Sequence, residues 1–210
     1  MSVRMQERDI QLLEALALRV RLFGQRQIAE AFRAGHMANT RRRLSQLVNA
    51  GFLLRSVVNA QPLPELLVPI VRWQPGQPEP DVQRVSHQLQ SRWRFRALRP
   101  TVVYFPTATT IAQFGGRERP QTMLTHITHD LGVAAIWLRF QEESRSAGQL
   151  WIGEDVLAPH RVEQKLPDAA LVDADNNPVL LIEFGGSYSP QRVRDFHDDA
   201  AARHLPYQLW

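Results

Sequence analysis

Cysteine is absent from the 210 residues, and lysine nearly so, with Lys165 the only one beside 24 arginines. The first absence excludes disulfides and thiolate metal sites. The second means that positive charge is carried by guanidinium groups, a bias that phosphate recognition and a GC-rich genome both produce. No run of about 18 uncharged apolar residues is present, so no membrane span and no membrane partner are expected. The opening Met1-Ser2-Val3-Arg4-Met5-Gln6-Glu7-Arg8-Asp9 has no apolar core of the signal-peptide kind, so the expected location is cytoplasmic. With 44% hydrophobic and 22% charged residues, the chain has the composition of a globular protein. Its length allows one medium domain or two small ones, and two are expected.

Charge is unevenly distributed. Residues 1–60 hold ten arginines against Glu7, Asp9, Glu14 and Glu30, a net +6, so the rest of the +4 chain sums to −2. A polyanion partner is therefore expected at the first segment.

Ile10, Leu13, Leu16 and Ala17 recur at helical spacing from Asp9 to Leu18. A second helix is predicted over 25–32, with Ile28, Ala31 and Phe32 inward. A third begins at Asn39 or Thr40 as N-cap, continues through Leu44, Leu47 and Val48, and stops at Asn49-Ala50-Gly51. Three short helices with a tight turn before the last describe a helix-turn-helix. Residues 52–58 and 66–73 read as two strands joined by a Pro-rich loop, which would form the wing of a winged helix. Asn39, Thr40, Arg41, Arg42, Arg43 and Gln46 crowd the first turns of the third helix. Such side chains reach base edges or phosphates when a recognition helix enters the major groove of double-stranded DNA, and Arg55 on the wing would touch the backbone. The plainer alternative is a solvated arginine face on a protein-interaction module.

Gln74-Pro75-Gly76-Gln77-Pro78-Glu79-Pro80-Asp81 reads as a linker. A helix is predicted over 82–98, where Arg92, Arg94, Arg96 and Arg99 alternate with Trp93 and Phe95. That pattern suits either nucleic-acid contact or packed aromatics with snorkelling arginines. His126 and His129 beside Asp130 form a pair without a third metal ligand, which capping and packing explain more simply.

From there the predicted order is helix (125–142), three strands (149–156, 168–173, 179–184), helix (190–203) and strand (207–210). Ser189 and Pro190 make a good start for the last helix. A turn at Asp175-Asn176-Asn177 pairs the second and third strands. With a turn on Asp175-Asn176, residue i pairs with 351 − i and Asp168 faces Glu183 directly; with a turn on Asn176-Asn177 the acids are diagonal. Either register leaves them on one face, roughly 5 to 8 Å apart. Two carboxylates that close repel unless a cation or a proton lies between them, which makes this a candidate Mg or Mn site, with Glu154 a possible third ligand. The alternative is that Asp168 hydrogen-bonds a strand end and Glu183 pairs with an arginine of the last helix.

The element order, with Pro167-Asp168 followed 15 residues later by Glu183, resembles the PD-(D/E)XK nuclease superfamily. Together with Arg8-Asp9, Arg41-Arg42-Arg43-Leu44, Ala50-Gly51-Phe52-Leu53 and His126, the chain resembles the replication-relaxation family of plasmids and integrative mobile genetic elements. The resemblance implies an α+β protein: an N-terminal winged helix-turn-helix (1–73), a linker (74–81) and an α/β nuclease-like domain (82–210). It also implies work in replication, transfer or transcriptional control, with replication or conjugation proteins and a second copy of the chain as partners. Gly185 stands where the nuclease motif has lysine, and Lys165, Arg192 and Arg194 are the candidates to replace it. The expected function is sequence-selective DNA binding that needs no cofactor, with the nuclease-like half inactive and used for assembly. The enzyme alternative is a Mg- or Mn-dependent DNA endonuclease using Asp168, Glu183 and Glu154. A third is a protein-only adaptor in a nucleoprotein complex.

Overall fold

A computed structural model describes residues 3–33, 36–117, 126–144, 150–158 and 165–210. The described residues form a mixed α+β structure with two sheets. The chain divides into two units, each built from two stretches: Met1–Leu63 with Ala97–Leu138, and Pro64–Arg96 with Arg139–Trp210. This division departs from the linker expected at 74–81. Those residues instead form a closed turn within the second unit. Gln77 N–H donates to Gln74 O at 3.0 Å, Trp73 Nε1 donates to Gln77 O at 3.1 Å, and Gly76 supplies the positive φ of +87°.

In the first unit α1 (Glu7–Leu18) opens with the Gln6 N–H bonded to the Asp9 carboxylate at 2.8 Å, a capping box. Leu12, Leu13 and Leu16 are fully buried, while Ile10, expected inward, is 40% exposed. β1 (Phe23–Gly24) leads into α2 (Gln25–Arg33) and α3 (Met37–Asn49). Ile28 and Ala29 face the core, and Ala31, expected there, is exposed. α3 begins earlier than the caps expected at Asn39 or Thr40, because His36 O already accepts from Thr40 N–H at 2.9 Å. It ends as expected at Gly51, whose φ of +81° lets Phe52 N–H reach Leu47 O at 3.0 Å.

β2 (Leu53–Ala60) does not pair with 66–73. Of that stretch, β3 (Val71–Trp73) belongs to the second unit, as does α4 (Val82–Ser91). The partner of β2 is β4 (Arg99–Pro106), antiparallel from Leu53↔Pro106 to Ala60↔Arg99, and β1 lies on the other side of β4. Apolar alternation marked both candidate strands equally and could not choose between a near and a distant partner. α5 (Ala108–Gln113) follows, capped by Thr107, and then α6 (Ile127–Glu143).

The second unit holds β5 (Trp151–Gly153), α7 (Glu154–Leu157), β6 (Ala169–Val172), β7 (Pro178–Glu183), α8 (Pro190–Ala202) and β8 (Tyr207–Leu209). The sheet order is β3-β8-β7-β6-β5, with β7 and β8 parallel and joined through α8, and the other pairs antiparallel. The three strands, last helix and last strand read from the sequence are present, with β3 added at one edge and α7 between β5 and β6, whereas α6, expected ahead of them in this unit, belongs to the first unit as far as Leu138. The strand expected over 149–156 stops at Gly153, and Glu154 starts a helix. Ala169↔Ile182 and Ala170↔Leu181 fulfil the 351 − i register, although the turn is longer than two residues. Asp173 Oδ1 caps the N–H groups of Asp175 and Asn177, Asn176 takes φ +64°, and a bulge at Leu171/Val172 absorbs the difference. Trp73, Val85, Leu89, Phe196, Tyr207 and Leu209 are buried in the core of this unit, with Trp73 stacked on Tyr207 at 5.6 Å.

Candidate nucleic-acid surface and acid pair

The helix expected to read DNA, α3, is amphipathic. Thr40, Leu44 and Leu47 are fully buried, and Asn39, Arg41, Arg42, Ser45 and Gln46 are exposed. Thr40 therefore drops out of the expected reading set: its hydroxyl donates to His36 O at 2.8 Å, inside the fold. Arg43 is also removed from that set. Its Nη2 lies 2.6 Å from Oδ2 of Asp9, its Nε donates to both Asp9 oxygens at 3.2 Å, and Nη2 reaches Arg4 O at 2.7 Å. Asp9 is fully buried, so Arg43 is the countercharge that makes its burial tolerable, and it ties α3 to the start of α1. The bond to Asp9 raises the Arg43 pKa above its usual value. Gln46 stays at the surface with its amide oxygen engaged by Arg43 Nη1 at 2.8 Å. Arg41 and Arg42 have no acidic partner among the described residues, and Arg55 is exposed on β2. The first unit holds 13 arginines against 6 acids, a net +7, so the second carries −3 of the chain's +4.

Asp168 and Glu183 meet, Glu183 tied to the backbone of Asp168 and Asp168 to that of Phe184. Asp168 N–H donates to Glu183 Oε2 at 3.1 Å, and Phe184 N–H donates to Asp168 Oδ2 at 2.7 Å. The other oxygen of Glu183 accepts a short hydrogen bond from the Tyr188 hydroxyl. Glu183 is only 2% exposed, so these donors replace the water it has lost. Burial, then the negative charges of Glu183 and Asp168, push the Tyr188 pKa far above the ordinary phenol value. The Arg192 guanidinium of α8 lies 4.6 Å from the centre of the Tyr188 ring and acts in the opposite direction. Tyr188 thus gives Glu183 a partner where an arginine of the last helix was expected.

The loop bearing Tyr188 is fixed by α4 and the residues after it. Ser86 Oγ and Gln90 Nε2 donate to Tyr188 O at 2.8 and 3.1 Å, and Trp93 Nε1 donates to Gly186 O at 2.7 Å. Gly185 is closely packed. A Cβ there would lie 2.9 Å from methyl carbons of both Leu89 and Leu209, two buried core residues. The motif lysine there would require both leucine side chains to shift. Of its candidate replacements, Lys165 reaches Arg192 O at 3.4 Å and Arg194 pairs with Glu79 at 3.5 Å. Glu154 contributes a backbone N–H to Asp168 O at 2.9 Å from the first turn of α7. Among the described residues no three Asp, Glu or His side chains form a group able to hold a metal ion. Backbone and phenol donors hold both oxygens of Glu183 and Oδ2 of Asp168.

Tyr188 and Asp9 were not recognisable as site residues from sequence. The only hint of Tyr188 was its position five residues after Glu183 in a glycine loop, and nothing in Arg8-Asp9 pointed to Arg43. At the other predicted pair, His129 Nδ1 lies 3.6 Å from Asp130, which also faces Arg21 at 3.8 Å, while His126 is exposed. No family model, curated protein or solved structure matches this chain.

Proposed function

We propose that the chain is a sequence-selective protein that binds double-stranded DNA through α3, with the first unit a winged helix whose wing is the β2–β4 ribbon. The second unit is a nuclease-like fold whose acid pair has become structural and which serves assembly or partner binding. The observation that carries the reading is the pair Arg41 and Arg42, exposed and without an acidic partner among the described residues, on a helix whose opposite side is buried. The three helices α1 to α3 with a β1-β4-β2 sheet, in a unit of net +7 that also holds α5 and most of α6, support it. The motif resemblance to the replication-relaxation family directs the proposal toward replication, transfer or transcriptional control of a mobile element. The test is duplex affinity of the Arg41→Ala/Arg42→Ala double variant. The expected result is a loss of tenfold or more, since each phosphate or base contact contributes about 1 kcal/mol or more. Replacing Arg43 as well would confuse binding with folding, because Asp9 depends on it.

A second reading, a metal-dependent endonuclease, is favoured only by the meeting of Asp168 and Glu183. It is tested by incubating supercoiled plasmid with the protein in Mg or Mn, against EDTA and Asp168→Ala. Cutting that needs both metal and Asp168 would establish the enzyme. Intact plasmid accompanied by a retarded DNA band supports the binding protein.

A further inference from the structure

α4 stops at Ser91, well short of the predicted Leu98, and the next residues do something unusual with an aromatic ring. Trp93 O accepts from Arg96 N–H at 3.1 Å, closing a turn in which Phe95 occupies the third position with φ +67°. That conformation normally calls for glycine. Here it displays a phenylalanine that is 97% exposed. The turn is well anchored. Trp93, one side of it, donates to Gly186 O and packs edge-on against Phe184 at 5.9 Å, while Arg96 Nε donates to Arg92 O at 2.6 Å. Arg94, beside the ring, is exposed. Residues 82–96, the part of the second unit that leads into and forms the turn, include four arginines and no acid.

We propose that Phe95 is a stacking platform for an unpaired DNA base, with Arg94 contacting the adjoining phosphate, so that the protein prefers single-stranded or locally opened DNA to a closed duplex at this turn. An exposed ring flanked by guanidinium groups is the combination by which single strands are held without regard to sequence. A closed duplex hides the faces of its bases and offers such a ring nothing to stack on. A protein-docking role would account for the ring but not for the acid-free arginine run around it. The proposal rests on the reading of the chain as a DNA-binding protein but uses residues separate from α3.

The test compares the full chain with Phe95→Gly, Phe95→Trp and Arg41→Ala/Arg42→Ala on three probes: oligo(dT), a duplex with a central unpaired bubble, and the same duplex closed. Phe95→Gly suits the positive φ and keeps the fold. Stacking energies per base predict that it weakens oligo(dT) and bubble binding by about tenfold, leaves the closed duplex unchanged, and is rescued by Phe95→Trp. Unchanged oligo(dT) binding in Phe95→Gly, equal losses on all three probes, or loss of a dimer without loss of oligo(dT) binding would each overturn the proposal. If the Arg41/Arg42 variant leaves the closed duplex unchanged while Phe95→Gly weakens oligo(dT) binding, the α3 reading falls while the Phe95 result stands.

Discussion

Arg41 and Arg42 on α3 and the acid pair of the second unit are both clusters of like charge, and the chain treats them in opposite ways. The arginines are left in solvent with no acid to neutralise them among the described residues. Glu183 is buried and Asp168 half-buried, and they are supplied with donors by the backbone of Asp168 and Phe184 and by the hydroxyl of Tyr188. A charge left in water is available to a partner, whereas one whose hydrogen bonds are made within the fold has become part of the structure. Arg43 makes the same contrast within a single helix, one residue from Arg42.

The largest way to break this comparison is to restore the nuclease motif. Gly185→Lys forces a side chain against Leu89 and Leu209 and buries a charge, so a loss of about 3 kcal/mol or more is expected in a denaturant melt, without metal-dependent plasmid cutting. A stable variant that cuts DNA would show that the acid pair is an active site lacking one group. Next in size, Arg43→Ala leaves the buried Asp9 without its countercharge and is expected to cost about 3 kcal/mol, while Arg41→Ala and Arg42→Ala change stability by less than about 0.5 kcal/mol. Similar costs at all three positions would erase the contrast within α3.

Tyr188→Phe removes one donor to a buried carboxylate, and about 1.5–3 kcal/mol should be lost near neutral pH. The pH dependence sharpens this. Because the folded state holds the Tyr188 proton more firmly than the unfolded chain, that stability is fully present below the unfolded pKa of about 10 and drains away as pH rises above it. The gap in urea midpoint between wild type and Tyr188→Phe should therefore narrow between pH 8 and pH 11. A gap that widens would mean that the hydroxyl is not the proton donor to Glu183.

Local structure was legible in the sequence, and distant partnerships were hidden. Helical periodicity located α1 to α3, Gly51 and Ser189-Pro190 marked helix ends, and the 351 − i register was one of the two that the turn residues allowed. By contrast, β2 pairs with β4 across residues 61–98, and Arg43 meets Asp9 across 34 positions, choices made by tertiary packing rather than by propensity. Three adjacent arginines look equivalent as letters, and only the direction of each side chain on the helix separates an exposed pair from a buried tie. Gly185 was read as a missing lysine; its physical cause, the closeness of Leu89 and Leu209, depends on α4 and β8 together. Phe95 escaped the helical pattern because α4 ended early in a turn that no glycine or proline announced.

What the exposed arginines do in the presence of DNA decides between a binding surface and a solvated face, and salt dependence reports it. Duplex affinity measured across a range of salt concentrations should fall steeply. Arg41→Ala/Arg42→Ala should lower the slope of log affinity against log salt by about 0.9 for each phosphate no longer neutralised, while Tyr188→Phe leaves the slope as it is. A double variant with the slope and affinity of the wild type would contradict the assignment of α3 as the DNA-binding surface.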